Sequence, residues 1–277
     1  MTNISIMDMN DYNVPMPDLY RIIKQSGFDG VILGWSNFIP VGFDKRDHPE
    51  IARNAGLQVE NIHAPFTFKH VENLWTDRID GDDYLDSLLL SLNDCAQYDI
   101  STMVIHISNS YDTPPASILG LNRLSKLIDK AEQRNINIAI ENTFLTGHID
   151  YVFNAIKSDK LGFCFDSGHQ NCFTPEDDLI LSYGNRLMAL HLSDNNGAIT
   201  TSFERGSFEW SKLVDQHSLP FDGKIDWHKT IAQLRRLQYK SISLEVRNIG
   251  YEHLSSQPEE FYSLAYERGK KLYDMLF

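Results

Sequence analysis

Leu161–His169, with the sequence LGFCFDSGH, joins a short apolar run to a carboxylate and an imidazole. A short run of this kind, with almost no polar residue, is typical of a fully buried strand. Asp166 ends the run and His169 follows three residues later, so both side chains would lie at the carboxyl end of the strand. Gly168 between them predicts a backbone bend that turns both toward one site. The segment therefore predicts a buried strand that leads into a functional site.

Similar apolar runs recur along the chain and alternate with amphipathic helical patterns. Alternating β and α units predict a parallel sheet, and eight such units predict a single-domain α/β fold, a (β/α)8 TIM barrel over residues 1–277. A doubly wound open sheet is the alternative, but no glycine-rich phosphate loop follows the first run. The predicted strands are Ile4–Met7, Gly30–Gly34, Leu57–His63, Thr102–Ser108, Ile136–Asn142, Leu161–Asp166, Leu187–Ser193 and Ser241–Arg247. The clearest predicted helices are Pro17–Ser26, Asp82–Gln97, Ala116–Arg134 and Asp226–Leu237.

Two long stretches show neither pattern, namely residues 66–81 and 195–223. Both follow predicted strands, so they would cover the barrel mouth, where enzymes of this fold keep their active sites. Thr174, followed by Pro175 and two acidic residues, predicts the start of a further helix. The sequence thus places its irregular segments beside the expected site.

The overall charge limits the classes of partner that the protein is expected to bind. The 277 residues carry a formal net charge of −13, and the pI is about 5.1. A protein that binds duplex DNA normally presents a basic surface, whereas the lysines here are scattered. Nucleic acid is therefore not the expected partner.

The ends and the cysteines of the chain indicate its compartment. The first residues, MTNISIMDMNDY, contain neither a basic region nor a long apolar run, so they do not resemble a signal peptide. No segment approaches the ~18 consecutive apolar residues of a membrane helix. Three cysteines suggest no disulfide framework. We therefore expect a cytoplasmic protein without membrane association, and a homo-oligomer remains open.

Metal-binding residue types stand at the ends of the predicted strands. Glu141 follows Ile-Ala-Ile, Asp166 follows Phe-Cys-Phe, and Glu245 follows Ile-Ser-Leu. An ionised carboxylate at the end of a buried strand needs a strong partner, and three together would raise one another's pKa unless a cation neutralised them. Imidazoles occupy similar positions, and this mixture suits Zn²⁺ or Mn²⁺, with Mg²⁺ a further candidate. The candidate ligands are His63, His106, Glu141, Asp166, His169, His191, Asp215, His217 and Glu245.

Some of these histidines and acids are weaker candidates on their own. His63 and His106, taken singly, fit a hydrogen-bonded core histidine as well as a ligand. Asp215 and His217 alternate on one segment, which in an extended conformation would point both side chains the same way. These four residues are therefore candidates because they belong to the set of nine possible ligands, and not because of their individual positions.

Residues near the strand ends are also candidates for substrate contact. Arg247, two residues after Glu245, would point to the same side of the strand, where it either binds substrate oxygens or pairs with a carboxylate. Trp35 and Phe38 follow the second predicted strand, where each either lines the pocket or belongs to the core. The sequence does not choose between these roles.

Seven segments match a known family pattern: IHAPF, VIHIS, IAIENT, FDSGH, HLSD, DQHSLPFDGKIDW and SLEV. On these segments, which span nearly the whole chain, the protein resembles the xylose isomerase-like TIM barrel superfamily. That group includes sugar-phosphate isomerases and epimerases and also endonuclease IV. In DQHSLPFDGKIDW, Phe221 and Asp222 stand where the family pattern has Gly-x, and we expect this bulkier loop to narrow the pocket.

The resemblance implies roles for particular residues. In the isomerase and epimerase branch, one divalent ion would be held by Glu141, Asp166, His191 and Glu245. The branch also implies substrate contact by His169, and we expect further contacts from His63, His106, Trp35 and Arg247. In the endonuclease branch, all nine candidate ligands would bind three zinc ions. Because the sequence has all nine, ligand types alone do not separate the branches.

Three functions follow from this reading. The leading one is a metal-dependent sugar isomerase or epimerase, in which Glu141 and Glu245 move a proton through an enediolate. The second is a zinc phosphodiesterase acting on abasic DNA, which the acidic loops disfavour. The third is a barrel that binds metal and sugar without turnover. The leading function predicts a small sugar-like substrate, while its identity, phosphorylation and transfer by proton or hydride stay open.

Overall fold

A computed structural model describes residues 3–9, 12–35, 44–66, 68–204 and 207–277. Eight parallel strands form one sheet in the order β7-β6-β5-β4-β3-β2-β1-β8. The sheet closes between its two edge strands, since Leu192 and Leu244 form a parallel bridge. The strands are β1 (Ile4–Met7), β2 (Gly30–Gly34), β3 (Gln58–His63), β4 (Thr102–Ile105), β5 (Asn137–Glu141), β6 (Leu161–Asp166), β7 (Leu187–His191) and β8 (Ile242–Leu244). The predicted single-domain TIM barrel is confirmed.

Helices surround the barrel on the outside. Within the described ranges they are α1 (Met16–Ser26), α2 (His48–Asn54), α3 (Phe68–Asn73), α4 (Ile79–Gln97), α5 (Ile118–Arg134), α6 (Thr146–Ala155), α7 (Ser167–Phe173), α8 (Leu179–Tyr183), α9 (Phe208–Leu213), α10 (Trp227–Arg236) and α11 (Pro258–Leu276). Short 3-10 turns occupy Lys45–Asp47, Gly184–Arg186 and Glu252–Leu254. None of the helices in these ranges is both long and apolar enough to cross a membrane.

Most predicted elements are confirmed, but several of their ends differ from the predicted ones. The strand predicted at Thr102–Ser108 ends at Ile105, and the one predicted at Ser241–Arg247 ends at Leu244. The two stretches predicted to be irregular contain α3 and α9, and α4 begins before the predicted Asp82. The prediction of a helix start at Thr174 is wrong. Thr174 begins a turn, with the Asp177 N–H donating to its carbonyl at 3.0 Å, and α8 begins later.

Alternation along the strands separates two apolar regions. In β6, Phe163 and Phe165 pack in the main core between the barrel and the helices. Cys164, between them, belongs to a small cluster inside the barrel with Val104, Ala139 and Ala189. Small residues are needed there because side chains from facing strands meet at short range. The polar site lies in the next layer, above this small cluster and at the carboxyl ends of the strands.

Candidate metal centre and substrate cavity

Four of the predicted ligands meet at the carboxyl end of the barrel. Glu141, Asp166 and His191 are the last residues of β5, β6 and β7, and Glu245 directly follows β8. Asp166 and His191 also face each other in the strand register. One ligand atom from each of the four residues can be chosen so that all lie within 4.8 Å of one another. Each side chain is buried, so the group forms a closed polar centre.

The centre contains close contacts that are not hydrogen bonds. Nδ1 of His191 approaches Oε2 of Glu245 at 2.6 Å and Oε2 of Glu141 at 3.2 Å. Even so, neither ring nitrogen of His191 has a hydrogen-bond partner among the described residues, and the same holds for Oε1 of Glu141, Oδ2 of Asp166 and Oε2 of Glu245. Buried polar atoms left in this state are costly. Lone pairs that converge without donors fit a bound cation.

Five further candidate ligands extend the centre on two sides. On one side, the Nε2 atoms of His63 and His106 lie 3.1 and 3.3 Å from Oε2 of Glu141. On the other side, His169, Asp215 and His217 form a second group with ligand atoms within 4.8 Å of one another. The structure therefore brings all nine predicted ligands into one connected cluster.

Hydrogen bonds to carbonyl oxygens orient four of the imidazoles. Nδ1 of His63, His106, His169 and His217 lies 2.8–3.0 Å from a backbone or side-chain carbonyl oxygen. A donor at Nδ1 leaves the Nε2 lone pair free, as is usual in histidines that bind metals. The Nε2 atoms of His63 and His106 both point at Glu141. The carbonyl partners are the backbone of Ala64, Asn142 and Glu245 and the side chain of Asn109.

Burial and the neighbouring charges set the protonation of the carboxyl groups. Burial would raise the pKa of Glu141, but His191 and His106 hold that pKa well below its usual range. Burial also opposes ionisation of Glu245, and His191 nevertheless lowers its pKa to about 2. In Asp166 burial prevails and raises the pKa to about 7. Asp166 is therefore the carboxyl group that most needs a further cation to ionise.

The same contacts act on the imidazoles in the opposite sense. Burial lowers the pKa of His169, but Asp166 and Asp215 raise it well above the usual value. Burial likewise opposes protonation of His217, and Asp215 raises its pKa to about 9. For His191, Cys164 and Glu245 overcome burial and raise the pKa well above its usual value. Protons on these rings balance the carboxylates when no metal does so.

A cavity opens directly above the cluster. The open space between the side chains that line it, including the mouth, is about 440 Å³. Titratable residues form its floor, and aromatic rings form a wall in which Phe173 stacks on Phe144 at a centroid distance of 3.9 Å and lies 6.1 Å from Trp210. The lining residues are His63, Phe66, His106, Asn109, Thr143, Phe144, His169, Phe173, Trp210, Asp215, His217 and Glu245. Asn109, Thr143 and the aromatic wall are not predicted from the sequence, because these residues come from separate connections after the strands.

Two predicted substrate contacts are not placed at this cavity. Trp35 is fully buried and donates its indole N–H to Asp94 at 3.0 Å. Its ring packs in the main core, so its prediction as a substrate contact is wrong. Arg247 lies beyond the end of β8, where its backbone N–H donates to the carbonyl of His217 at 2.9 Å, and it does not line the described cavity. Phe38 lies outside the described residues.

Local conformation differs from the prediction at two ligand segments. Gly168 is needed for close packing rather than for a bend, since a Cβ there would lie 2.5 Å from Oγ of Ser193. Oδ1 of Asp166 instead caps α7 by accepting from the His169 N–H at 2.6 Å. His217 has a φ of 46°, so its segment is not extended. Its Nε2 still lies 3.3 Å from Oδ1 of Asp215.

Asp194 holds the loop that carries Asp215 and His217. It is fully buried, and its carboxylate accepts four hydrogen bonds, two at each oxygen. The donors are the backbone N–H groups of Asn195 (2.9 Å), Phe221 (3.0 Å) and Ile225 (3.1 Å) and the indole N–H of Trp227 (2.8 Å). Backbone bonds between Asp194 and Ser218 add to this anchor.

Phe221 has the conformation that its family pattern would assign to glycine. Its φ is 75°, a region that L-residues with bulky side chains rarely adopt. The ring lies 6.0 Å from the ring of Trp227, and Nζ of Lys271 lies 3.8 Å from its centroid. Phe221 does not line the described cavity, so the expectation that it narrows the pocket is wrong.

Comparison with known proteins identifies the fold and the family. A curated relative, the uncharacterized protein y4fM of Sinorhizobium fredii (strain NBRC 101917 / NGR234), is 31% identical over 116 residues, which are 39% of this chain and 32% of that protein. A fusion of a xylose isomerase-like TIM barrel with 4-hydroxyphenylpyruvate dioxygenase shares 17% identity and a TM-score of 0.74 over 96% of this chain and 42% of the other. The chain thus spans less than half the length of either protein.

Two other solved structures align over nearly their whole length. The IOLI protein with a bound zinc atom has 14% identity and a TM-score of 0.74, covering 100% of this chain and 99% of that one. An L-ribulose 3-epimerase has 13% identity and a TM-score of 0.73, covering 100% and 96%. At these identities the likeness establishes the fold. The model of the xylose isomerase-like TIM barrel family matches residues 20–265, and the chain therefore belongs to that family.

Proposed function

We propose that this protein is a divalent-metal-dependent isomerase or epimerase of a sugar-like polyhydroxy carbonyl compound. The observation that carries the proposal is the buried group of Glu141, Asp166, His191 and Glu245, whose ligand atoms converge beneath an open cavity. Among the structural neighbours, one is named as a sugar epimerase and another contains zinc, which supports the substrate class and the metal.

The donor set fits a divalent cation. Three carboxylates and one imidazole supply oxygen and nitrogen ligands that suit Zn²⁺ or Mn²⁺, and Mg²⁺ is a further candidate. The unpartnered oxygens of Glu141, Asp166 and Glu245 give an independent reason to expect an ion. When bound, the ion would polarise a substrate carbonyl and its neighbouring hydroxyl and stabilise the negative charge that develops there.

Glu245 is the carboxylate best placed to take a proton from a substrate carbon. It lines the cavity, and its pKa of about 2 keeps it ionised at neutral pH. Glu141 approaches the same imidazole, His191, from β5 and is the second acid–base group in this proposal. Two carboxylates reached from separate strands allow removal and return of the proton by different groups.

His169 would hold a substrate oxygen during this transfer. It lines the cavity, and Asp215 lies 3.6 Å from its Nε2. Although burial opposes protonation, Asp166 and Asp215 raise the pKa of the ring well above its usual value. A protonated imidazole is a charge-assisted donor, which binds an oxygen more strongly as negative charge builds on it.

A zinc phosphodiesterase is the second candidate, because the additional ligands also converge. His169, Asp215 and His217 form their own group, and His63 and His106 form another with Glu141. Against this function, the described residues that line the cavity include no lysine or arginine to bind a phosphodiester. A barrel that binds metal and sugar without turnover is the third candidate.

The experiment begins with the metal content of the dialysed protein, measured by elemental mass spectrometry after reloading with Zn²⁺, Mn²⁺ or Mg²⁺. The loaded protein is then incubated in D2O with a panel of ketoses and aldoses, and the products are followed by NMR. Glu141→Gln and Glu245→Gln are compared with Glu60→Gln as a matched control. Glu60 is a barrel carboxylate that accepts from Ser243 at 2.6 Å and does not line the cavity.

We expect about one ion per chain, epimer or isomer formation, and loss of turnover of at least about a hundredfold in both site variants, with Glu60→Gln active. Deuterium at the reacting carbon supports proton transfer by the carboxylates, whereas product without deuterium supports a hydride shift. Near-wild-type turnover by either site variant contradicts the proposal. Two or three tightly held zinc ions with hydrolysis of a phosphodiester favour the second candidate.

A further inference from the structure

Asn109 presents an unused hydrogen-bond donor to the cavity. It follows β4 by four residues, is 2% exposed and lines the cavity. Its Oδ1 lies 2.8 Å from Nδ1 of His106, whereas its Nδ2 has no hydrogen-bond partner among the described residues. A buried amide donor of this kind is costly to leave unpaired, so its position at the wall of a cavity points to a ligand acceptor.

The contacts of His106 determine which end of the amide faces the cavity. Nε2 of His106 points toward Oε2 of Glu141 at 3.3 Å and toward Nε2 of His63 at 3.2 Å. As the structure orients the amide, Oδ1 of Asn109 accepts the Nδ1 proton of His106, the same tautomer that backbone carbonyl oxygens impose on His63, His169 and His217. The NH2 group is then the end left for a ligand.

The backbone fixes the position of Asn109. Its N–H donates to Oγ1 of Thr113 at 3.3 Å, and the N–H of Ser110 donates to the same hydroxyl at 3.2 Å. A residue held in this way cannot easily turn its amide into solvent. Its donor is therefore part of the cavity wall, preformed for a ligand.

The rest of the lining indicates the chemistry of that ligand. The floor carries carboxylates, and the described part of the lining contains neither lysine nor arginine, so imidazoles are the only basic side chains that an anionic group such as a phosphate would meet among these residues. In the same lining, Phe144, Phe173 and Trp210 offer an apolar surface. An uncharged molecule with a polar edge and an apolar face would fit both the polar floor and the aromatic wall.

We propose that Asn109 is a substrate-binding residue, whose Nδ2 donates to a hydroxyl or carbonyl oxygen of an uncharged sugar that packs its apolar face on the aromatic wall. The inference rests on the proposed function for the reacting end of the substrate. It adds a specificity residue to that function and names uncharged sugars as the preferred class.

The test measures dissociation constants by calorimetry on the metal-loaded protein. Asn109→Asp keeps the side-chain shape and an oxygen for His106 but removes the donor, and Asn109→Leu removes both polar atoms. Asn61→Leu is the matched control, because Asn61 is also buried with an unpartnered amide but does not line the cavity. The probes are neutral ketohexoses, their monodeoxy analogues and their 6-phosphates, and circular dichroism checks that each variant is folded.

We expect about tenfold weaker binding of the neutral sugar by both Asn109 variants and unchanged binding by Asn61→Leu. One deoxy analogue should bind the wild type about tenfold more weakly and bind Asn109→Asp no worse than its parent sugar does. Equal affinities of wild type and Asn109→Asp, absence of any neutral sugar binding, or tighter binding of the 6-phosphates would overturn the inference. Sugar binding without turnover would instead count against the proposed function alone.

Discussion

Asp194→Asn is expected to loosen the loop that carries Asp215 and His217. The carboxylate of Asp194 is fully buried, and each of its oxygens accepts two hydrogen bonds. All four donors belong to residues 195–227, the connection after β7. The substitution therefore acts on this one segment before it acts on the barrel.

The size of the effect follows from the hydrogen bonds at each oxygen. An amide keeps the shape of the carboxylate but replaces one accepting oxygen with an NH2 group. In either orientation of the Asn side chain, this NH2 group faces two N–H donors, so two hydrogen bonds are lost. Hydrogen bonds to charged groups contribute ~1.5–3 kcal/mol each, and the loss of two costs roughly 3–6 kcal/mol. Whole domains are stable by ~5–15 kcal/mol. We therefore expect a folded barrel with a locally opened loop.

Hydrogen exchange read by mass spectrometry, together with urea unfolding, measures both consequences. Exchange should rise across residues 195–227 and stay unchanged in β1 to β6. Asp226→Asn is the control, because Asp226 is exposed and caps α10 by accepting from the Lys229 N–H at 3.0 Å, a role that Asn fills equally well. Unchanged exchange in this loop, with an unfolding free energy within about 1 kcal/mol of wild type, would refute the reasoning.

Two further substitutions test close packing around the site. Phe221→Gly should be more stable than Phe221→Ala by about 1 kcal/mol in urea unfolding, because both lose the contact with Lys271 but only glycine relieves the positive φ. A more stable alanine variant would contradict that account. Gly168→Ala should weaken metal binding at least about tenfold by pushing its Cβ into Ser193, and Ser193→Ala in the same chain should restore most of the affinity. Failure of the double variant to recover affinity would show that the clash is not the cause.

The barrel and its ligands were predictable because they depend on one local pattern. An apolar run that ends in Glu141, Asp166 or His191 marks both a buried strand and its carboxyl end, and parallel strands bring those ends together. No long-range information is needed for that step. The family resemblance then supplied roles for residues that the pattern had already placed side by side.

Trp35 shows how the same reasoning failed by ignoring side-chain direction. In β2, Val31 and Leu33 pack in the main core with the helices. Trp35 has the same parity, so alternation of side chains places it in that core rather than at the mouth. The role of Arg247 stays a prediction, because β8 ends at Leu244 and alternation no longer fixes the direction of side chains beyond it.

The aromatic wall and Asn109 could not be predicted from local patterns. Phe144, Phe173 and Trp210 belong to connections after three different strands, and nothing in their own segments indicates that the rings meet. The position of Trp210 depends further on the conformation of the connection after β7, which Asp194 and the left-handed residues His217 and Phe221 help to determine. A non-glycine residue with positive φ has no reliable sequence signal.

Charge balance in the cluster links protonation to the number of bound ions. The pKa of about 7 at Asp166 and the raised pKa values of His169, His191 and His217 mean that the metal-free cluster holds protons at neutral pH. Because metals bind the deprotonated forms, metal affinity must fall as the pH drops. From pH 8 to pH 6, Asp166 alone should weaken affinity about tenfold.

The number of protons released on metal binding therefore indicates how many ions are bound. One ion at Glu141, Asp166, His191 and Glu245 displaces protons from His191 and Asp166, whereas another ion at His169, Asp215 and His217 also displaces those on the two further rings. Calorimetric titrations at pH 7 in two buffers of different ionisation enthalpy give that number without any substrate. Release of about one or two protons per chain supports the single-ion centre of an isomerase or epimerase, and clearly more indicates several ions. Metal binding without proton release, or tighter at pH 6 than at pH 8, would show that these groups are not the ligands.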